Sequence, residues 1–204
     1  KVQPNRAVVR VSDSRVDNLS AMYNPKKTVY AQLELVDFGG LAAGADNGEV
    51  FSGEALASLK NCDVLTLVLR NFDDAATPGA PDPAGDLSTL LDEFLLSDQI
   101  LLERRLERIR EDIQKGKRNP DLPAEEKLLS MVHQRVEAGE PIRSIDLNTD
   151  QSKRLSGYAF ITAKPFFAIL NSGEEEYGSS RQIIDAIEEQ CPVVEFAGKF
   201  EMEL

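Results

Sequence analysis

The run VLTLVL, at residues 64–69, decides the fold of this chain. It is almost continuously apolar, and a second run of the same kind, PFFAIL, occupies residues 165–170. Such runs are typical of parallel strands whose two faces are both covered by helices. A short strand is predicted at 192–196, and helices are predicted at about 13–23, 52–60 and 178–190. Strands that alternate with helices predict an α/β fold with a mainly parallel sheet flanked by helices.

Residues 29–36 (VYAQLELV) follow a different pattern, in which apolar and polar residues alternate. Alternation predicts a half-exposed strand near a sheet edge, in an antiparallel arrangement. The strand runs into Asp37, followed by Phe38 and two glycines. Two glycines beside a carboxylate indicate that a bulky, charged group approaches the backbone there. The first eleven residues show no clear first element.

The middle of the chain has the pattern of a helical hairpin. Apolar residues recur at spacings of three, four and seven from Leu87 to Ile113, which predicts a long amphipathic helix. The segment 115–123 contains Gly and Pro residues that end this helix. A second helical pattern runs through Leu128 and Val136. Two helices joined in this way form an antiparallel hairpin, whose first arm would project about 40 Å.

Composition restricts the class of protein. The chain has 204 residues, 42% of them hydrophobic and 28% charged, which is typical of a globular protein with a sizeable core. No signal peptide precedes the first elements, and the isolated Cys62 and Cys191 fit no metal spacing, so reduced thiols and the cytoplasm are predicted. No apolar run could span a membrane. The net charge of −12 argues against a surface that coats nucleic acid throughout.

The tip of the predicted hairpin is basic in this acidic protein. Between residues 104 and 118, seven basic residues stand against three acidic ones, a local charge of +4 (7 − 3). A basic projection can bind RNA phosphates. The alternative is a solvated helix face whose charges pair with one another. No aromatic residue interleaves the basic ones, so base stacking is not expected. The candidate RNA-contact residues are Arg104, Arg105, Arg108, Lys115, Lys117 and Arg118.

Three predicted strands end in residues suited to a nucleotide. Ligands of open parallel sheets bind outside the carboxyl ends of the strands. Asp37 can bind Mg²⁺, and a glycine N–H beside it can reach a phosphate. The amide of Asn171 and the carboxylate of Glu174 can face a base, on which the turn 197–199 can pack. Each pattern alone also occurs in ordinary turns, but their shared position after β-type runs favours a common site.

Together these stretches resemble the G domain of the YchF and Obg-like ATPases, P-loop NTPases of the translation-factor class. The resemblance runs in collinear order from QPNRAVVRV near the start through VDFGGLAAGADNGE (36–49) and TAKPFFAILNSGEEE (162–176) to AGKFEMEL (197–204). The helical hairpin is in the position of that family's coiled-coil insertion. The implied domains are a discontinuous G domain, 1–85 and 156–204, and a coiled-coil insertion, 86–155.

The resemblance implies a role for each strand end. Asp37 and Gly40 would form the third G motif, which touches Mg²⁺ and the γ-phosphate, and Leu41 stands where Ras-like proteins place the glutamine that orients the attacking water. Asn171 and Glu174 would form the fourth motif, in which Glu in place of Asp is associated with ATP. The implied ligands are ATP and Mg²⁺, with GTP and K⁺ as candidates, and the implied partner is the ribosome or RNA. The implied nucleotide-binding residues are Asp37, Gly40, Asn171, Ser172, Glu174, Ala197, Gly198 and Lys199.

The chain also departs from that family. No G-x-x-x-x-G-K-[ST] occurs in these residues, and NSGEE stands where NVSE-type segments are usual. One interpretation is an ATPase whose P-loop lies upstream of Lys1, in which case the 204 residues alone are expected to be inactive. The second is a degenerate, non-catalytic ribosome- or protein-binding module on the same fold. A third is a switch specific for GTP. His133, the only histidine, is expected to have a surface or packing role.

Overall fold

The computed structural model describes residues 5–37, 53–75, 77, 79–117 and 119–203. The chain divides into two compact units, Lys1–Ala55 and Leu56–Leu204. The division neither supports nor contradicts the predicted boundaries of the G domain and its insertion, which stay a prediction. No helix among the described residues is both long and apolar enough to cross a membrane.

The first unit contains an antiparallel strand pair and one helix. Strand β1 (Asn5–Arg10) pairs with β2 (Gln32–Asp37), and the register runs from Asn5 opposite Asp37 to Arg10 opposite Gln32. Between them lies α1 (Ser14–Tyr23), whose first turn is capped because the Asp13 carboxylate accepts a hydrogen bond from the Arg15 N–H. The predicted antiparallel strand and helix are confirmed.

Two expectations for this unit were wrong. The first residues do contain a strand, β1, which the sequence failed to signal because NRAVVR combines a short apolar run with polar ends and no alternation. Strand β2 begins at Gln32, three residues later than predicted. Residues 29–31 precede it, and Ala31 extends the pairing only through its carbonyl, which accepts a hydrogen bond from the Val11 N–H.

The second unit is built on a parallel sheet of three strands in the order β3-β4-β5. Strands β3 (Leu65–Asn71) and β4 (Phe166–Ser172) pair from Leu65 opposite Phe166 to Asn71 opposite Ser172. Strand β5 (Val193–Phe196) pairs with β4 on the other side. The same unit contains α6 (Arg181–Glu188) and α7 (Gly198–Glu203), whereas α2 (Gly53–Lys60) begins in the first unit and ends in the second. The predicted parallel α/β sheet is confirmed.

The expectation that helices cover both faces of β3 was wrong for the described residues. Leu65, Leu67 and Leu69 are buried on one face, whereas Val68 on the other is 66% exposed. Val194 on β5 is also exposed, at 60%. The continuous apolar run therefore did not predict the difference in exposure between the two faces.

The first helix of the hairpin begins four residues before Leu87 and the second begins six residues before Leu128, so both are longer at their N-terminal ends than the patterns predicted. Helix α3 (Pro83–Gln114) has 32 residues, about 48 Å at 1.5 Å per residue, and begins when the Asp82 carboxylate accepts from the Gly85 N–H. Helix α4 spans Leu122–Glu137, so Pro123 lies in the first turn of this helix rather than in the connection before it. The facing apolar residues of the two arms form the main core cluster: Leu102, Leu106, Ile109, Leu122, Leu128, Leu129, Val132 and Val136.

The chain returns from the hairpin to the sheet through two elements that the sequence did not signal. A 3₁₀ turn (Ile142–Ser144) is followed by α5 (Thr149–Ser156). Asn148 and Gln151 form a capping box that begins α5, because each side chain accepts from the other's backbone N–H. The segment then contributes Leu155 and Phe160 to the hairpin core before it enters β4.

Candidate functional site

The second unit brings together two of the predicted strand ends. The Asn171 Oδ1 at the end of β4 accepts a hydrogen bond of 3.1 Å from the backbone N–H of Gly198, which follows β5. A Cβ atom at Gly198 would lie 3.1 Å from the same Oδ1, so a larger residue would fit only if the Asn171 side chain moved by a few tenths of an ångström. Ala197 beside it is buried, whereas Lys199 is exposed. The turn predicted for 197–199 instead begins α7 at Gly198.

Ser172 faces away from Asn171 and enters a buried polar network that the sequence did not predict. Its hydroxyl donates to Glu195 Oε1 at 2.7 Å and accepts from Asn71 Nδ2 at 2.9 Å. The same Asn71 amide donates to the Ser180 hydroxyl at 2.8 Å. The signal was present as polar residues inside apolar runs, namely Glu195 within PVVEF and Asn71 directly after VLTLVLR.

The loop after Asn171 is fixed at both of its ends. The Gly173 N–H donates to the Asn71 carbonyl at 3.0 Å, and the Gly178 N–H donates to Glu195 Oε2 at 3.1 Å. A Cβ atom at Gly173 would meet Glu176 Oε2 at 2.2 Å, so the loop also packs closely on itself. Glu174, the predicted base-reading acid, is exposed between the two anchors. A carboxylate held this way can face a ligand at the sheet edge.

The rest of the predicted nucleotide site belongs to the first unit or lies outside the described residues. Asp37 is the last residue of β2 and is exposed. Gly40 and Leu41 lie outside the described residues. No group of three or more His, Cys, Asp or Glu residues that could hold a metal occurs in the described part of the chain. A lone exposed carboxylate still fits Mg²⁺, which is usually bound by one or two carboxylates together with waters and substrate phosphates.

The predicted basic tip is largely neutralised by neighbouring acids. Arg105 pairs with Glu125 at 2.6 Å, Lys115 with Glu111 at 2.8 Å, and Lys117 with Asp112 at 2.8 Å. Arg118 lies outside the described residues. The alternative of a self-paired helix face therefore holds for three of the six candidate residues.

Arg104 and Arg108 are the candidates whose charge stays uncompensated by an ion pair among residues 5–37, 53–75, 77, 79–117 and 119–203. Both are exposed on α3, one helical turn apart. A shallow groove of about 550 Å³ along this face contains Arg104 and Arg110 but also Glu103, Glu107 and Glu111. The lining of this groove is therefore slightly acidic, so a phosphate would bind to Arg104 and Arg108 as separate side chains rather than to the groove as a whole.

A buried carboxylate joins the hairpin to the start of β4. Asp98 on α3 is 0% exposed, and it accepts from the Ile161 N–H at 3.0 Å and from the Thr162 N–H and hydroxyl at 2.7 Å each. Burial raises the pKa of Asp98 above its usual 3.8, and the hydrogen bonds from Thr162 and Ile161 oppose that shift. His133, as expected, has a packing position between the arms, with Nε2 3.4 Å from Glu103 Oε1.

The chain is similar in sequence and in structure to several known proteins. No protein-family model matches it. It is 32% identical over 179 residues to the ribosome-binding ATPase YchF of Haemophilus ducreyi, covering 86% of this chain and 49% of that protein. It is 32% identical over 183 residues to Obg-like ATPase 1 of Schizosaccharomyces pombe, covering 86% and 47%. The solved structure of the Schizosaccharomyces pombe YchF GTPase superposes with a TM-score of 0.79 at 30% identity, over 99% of this chain and 57% of that one. The chain is a homologue of the YchF and Obg-like ATPases.

The resemblance inferred from the sequence is thereby confirmed, and so is the fold class, because the structural match to a YchF GTPase extends over nearly the whole chain. The chain spans about half the length of the YchF and Obg-like relatives that it matches. Their names include ATPase, GTPase and ribosome binding. The roles of individual residues in this YchF homologue remain predictions.

Proposed function

We propose that this chain is the nucleotide-binding portion of a YchF-type ATPase, which binds ATP with Mg²⁺ and couples its nucleotide state to ribosome or RNA contact. The names of the relatives support an NTPase that meets the ribosome, and a ribosome partner implies the cytoplasm. Hydrolysis would proceed by direct in-line attack of water on the γ-phosphate, without a covalent intermediate. ATP is the proposed substrate in preference to GTP.

One contact carries the proposal for the base site, namely the hydrogen bond from Gly198 to Asn171 Oδ1. Because Oδ1 is occupied by this backbone donor, the amide is fixed with its NH₂ group directed elsewhere. That NH₂ has no protein acceptor in the described part of the chain, so it can donate to a purine. N7 is an acceptor on both adenine and guanine, which makes Asn171 a purine contact that does not discriminate between them. We assign the distinction between adenine and guanine to Glu174.

In the first unit, Asp37 keeps the magnesium-binding role that the resemblance implies. Mg²⁺, when bound, would neutralise charge on the phosphates, and the exposed Asp37 carboxylate would hold it through water. Leu41 has no group that can orient water, so another group must position the nucleophile. K⁺ is a candidate for part of this charge compensation.

Calorimetry of the intact protein with ATP and with GTP tests the purine site. Asn171→Ala should weaken both nucleotides about tenfold or more, because the amide that donates to the purine and fixes the 198 turn is lost. The matched control is Gln190→Ala, since Gln190 is exposed in the turn before β5, at the opposite edge of the sheet. Unchanged affinities in Asn171→Ala would refute the site.

Glu174→Asp tests base discrimination. The shorter acid should shift preference towards GTP, and Glu175→Asp, an exposed neighbour, is the control. The measurement is the ratio of the two dissociation constants in each variant. An ATP-to-GTP ratio equal to that of the unmodified protein would remove Glu174 from base recognition.

Ribosome contact is assigned to Arg104 and Arg108, because these are the exposed candidates without an ion pair in the described residues. Replacing both with alanine should lower ribosome co-sedimentation. The slope of log K for ribosome binding against log salt concentration should become shallower by about one to two. Lys153→Ala, on the exposed face of α5, is the control. Equal binding and equal salt slope in the double variant would exclude this surface.

The second candidate function is a non-catalytic binding module on the same fold. It is favoured by NSGEE, which stands where NVSE-type segments are usual in that family. Phosphate release by the intact protein in the presence of Mg²⁺ and ATP separates the two functions. ATP binding without any turnover, with or without ribosomes, would favour the module. The 204 residues alone are expected to bind nucleotide weakly.

A further inference from the structure

Asn71, Ser172, Ser180 and Glu195 form a hydrogen-bonded polar network beneath the strand ends. Burying polar side chains costs free energy of folding unless they are hydrogen-bonded. Asn71, Ser172 and Ser180 are polar residues that are buried, at 4%, 4% and 7% exposed. Buried polar groups are retained without loss of stability only when they are all satisfied. Here every buried side-chain nitrogen or oxygen of the described residues has a partner. The network is therefore a complete and directional set of contacts.

These contacts converge on the loop that carries Glu174. Glu195 bridges the network to this loop, since Oε1 accepts from the Ser172 hydroxyl and Oε2 accepts from the Gly178 N–H. Asn71 secures the start of the loop through its carbonyl, which accepts from the Gly173 N–H, and secures Ser180 at the end of the loop through its side chain. The loop is thus held from the buried side of the sheet.

The strand geometry separates this network from the proposed ligand. Successive side chains of a strand point to opposite faces, so Asn171 contacts the 198 turn while Ser172 contacts Glu195. The two residues are adjacent in sequence, and a shift of one moves the other. The side chains of Ser172 and Glu195, which are hydrogen-bonded to each other, can therefore change the position of Asn171 and Glu174 through the loop.

We infer that Ser172 and Glu195 are positioning residues that set the ATP-to-GTP preference of the proposed site by holding the 173–178 loop. This inference rests on the proposed function. A charge-assisted hydrogen bond at each end of the Glu195 carboxylate makes the loop position depend on that one side chain.

The test uses the intact protein and the variants Ser172→Ala and Glu195→Gln. Hydrogen exchange of the Gly178 amide should rise about tenfold in Glu195→Gln, because one acceptor of the carboxylate is replaced by an NH₂ group. The ratio of ATP to GTP dissociation constants should change at least about threefold in both variants. Ser172→Thr, which keeps the hydroxyl, should restore the ratio. Glu188→Gln, exposed on α6, is the control.

The ratio separates positioning from a merely structural role. Partial unfolding removes sites for ATP and GTP equally, so it leaves the ratio unchanged. A ratio within experimental error of the unmodified protein in both variants, whether or not Gly178 exchange rises, overturns the inference while the proposed function stands. If the unmodified protein binds neither nucleotide, the proposed function fails first and the inference fails with it.

Discussion

Asp98 offers the sharpest test of how the hairpin is attached to the sheet. In Asp98→Asn, one carboxylate oxygen becomes an NH₂ group that cannot accept a hydrogen bond. If that group takes the place of Oδ2, the Thr162 N–H and hydroxyl both lose their acceptor, and each donates at 2.7 Å. The Thr162 hydroxyl in turn accepts from the Ile142 N–H at 3.2 Å, so the loss extends to the 3₁₀ turn.

The loss in the free energy of unfolding of Asp98→Asn can be estimated from these contacts. Hydrogen bonds to a charged group contribute about 1.5–3 kcal/mol each, and two are lost. Removal of a buried charge offsets part of this loss. We expect the free energy of unfolding to fall by about 2–4 kcal/mol, against a total of about 5–15 kcal/mol for a typical domain. Urea titration followed by circular dichroism measures the change. Asp92→Asn, exposed on the same helix, should change stability by less than about 0.5 kcal/mol.

The same variant has a pH signature. Burial raises the pKa of Asp98, so the folded protein binds its proton more tightly than the unfolded chain does. The corresponding stability is fully present below the unfolded pKa, near 3.8, and is lost as pH rises through the higher folded pKa. Because Asn does not titrate, the penalty of Asp98→Asn should be largest at low pH and should decrease as pH rises. A penalty below about 1 kcal/mol, or one that grows with pH, would refute this reasoning.

Three further predictions concern other parts of the second unit. Leu129→Ala in the hairpin core, where Leu129 is 0% exposed, should cost about 2–5 kcal/mol in urea titration, and exposed Leu96→Ala should cost far less; equal costs would contradict the assigned core. Gly198→Ala should weaken ATP binding, measured by calorimetry, because the new Cβ would lie 3.1 Å from Asn171 Oδ1; unchanged affinity would show that the turn adjusts freely. Lys164→Met should speed hydrogen exchange at the end of α2, because Lys164 Nζ donates to the Lys60 carbonyl at 3.0 Å; unaltered exchange would mean that this contact is dispensable.

Local patterns predicted the elements whose spacing is long or whose composition is distinctive. Helix α3 was predictable because a spacing of three and four persists over some 27 residues, and β4 because PFFAIL is too apolar for a loop. Strand β1 and helix α5 were missed because NRAVVR and TDQSKRLS carry weak patterns. Their formation depends on a pairing partner for β1 and on a capping box for α5, and neither is a periodic signal.

The sequence was enough to select the residues of the candidate site, but it did not predict their hydrogen-bond partners. Asn171, Glu174 and Gly198 could be selected because they follow strands, and strand ends of a parallel sheet share one edge. The partners of these residues could not be selected, because Asn71, Ser172 and Glu195 lie far apart in the chain and meet only through strand register. The ion pair of Arg105 with Glu125 likewise joins two separate helices, whereas the pair of Lys115 with Glu111 is a local one that the sequence allows.

The amino-acid order alone determined the strongly patterned helices and strands, such as α3 and β4, and it placed the YchF-like motifs in their collinear positions, because hydrophobic periodicity and turn residues act over a few neighbours. Tertiary structure alone decided which face of β3 is buried, which arginines keep an unpaired charge, and which buried oxygens hold the Glu174 loop. Those outcomes depend on contacts between residues some 20 to 110 positions apart, and no local pattern encodes the distance between them.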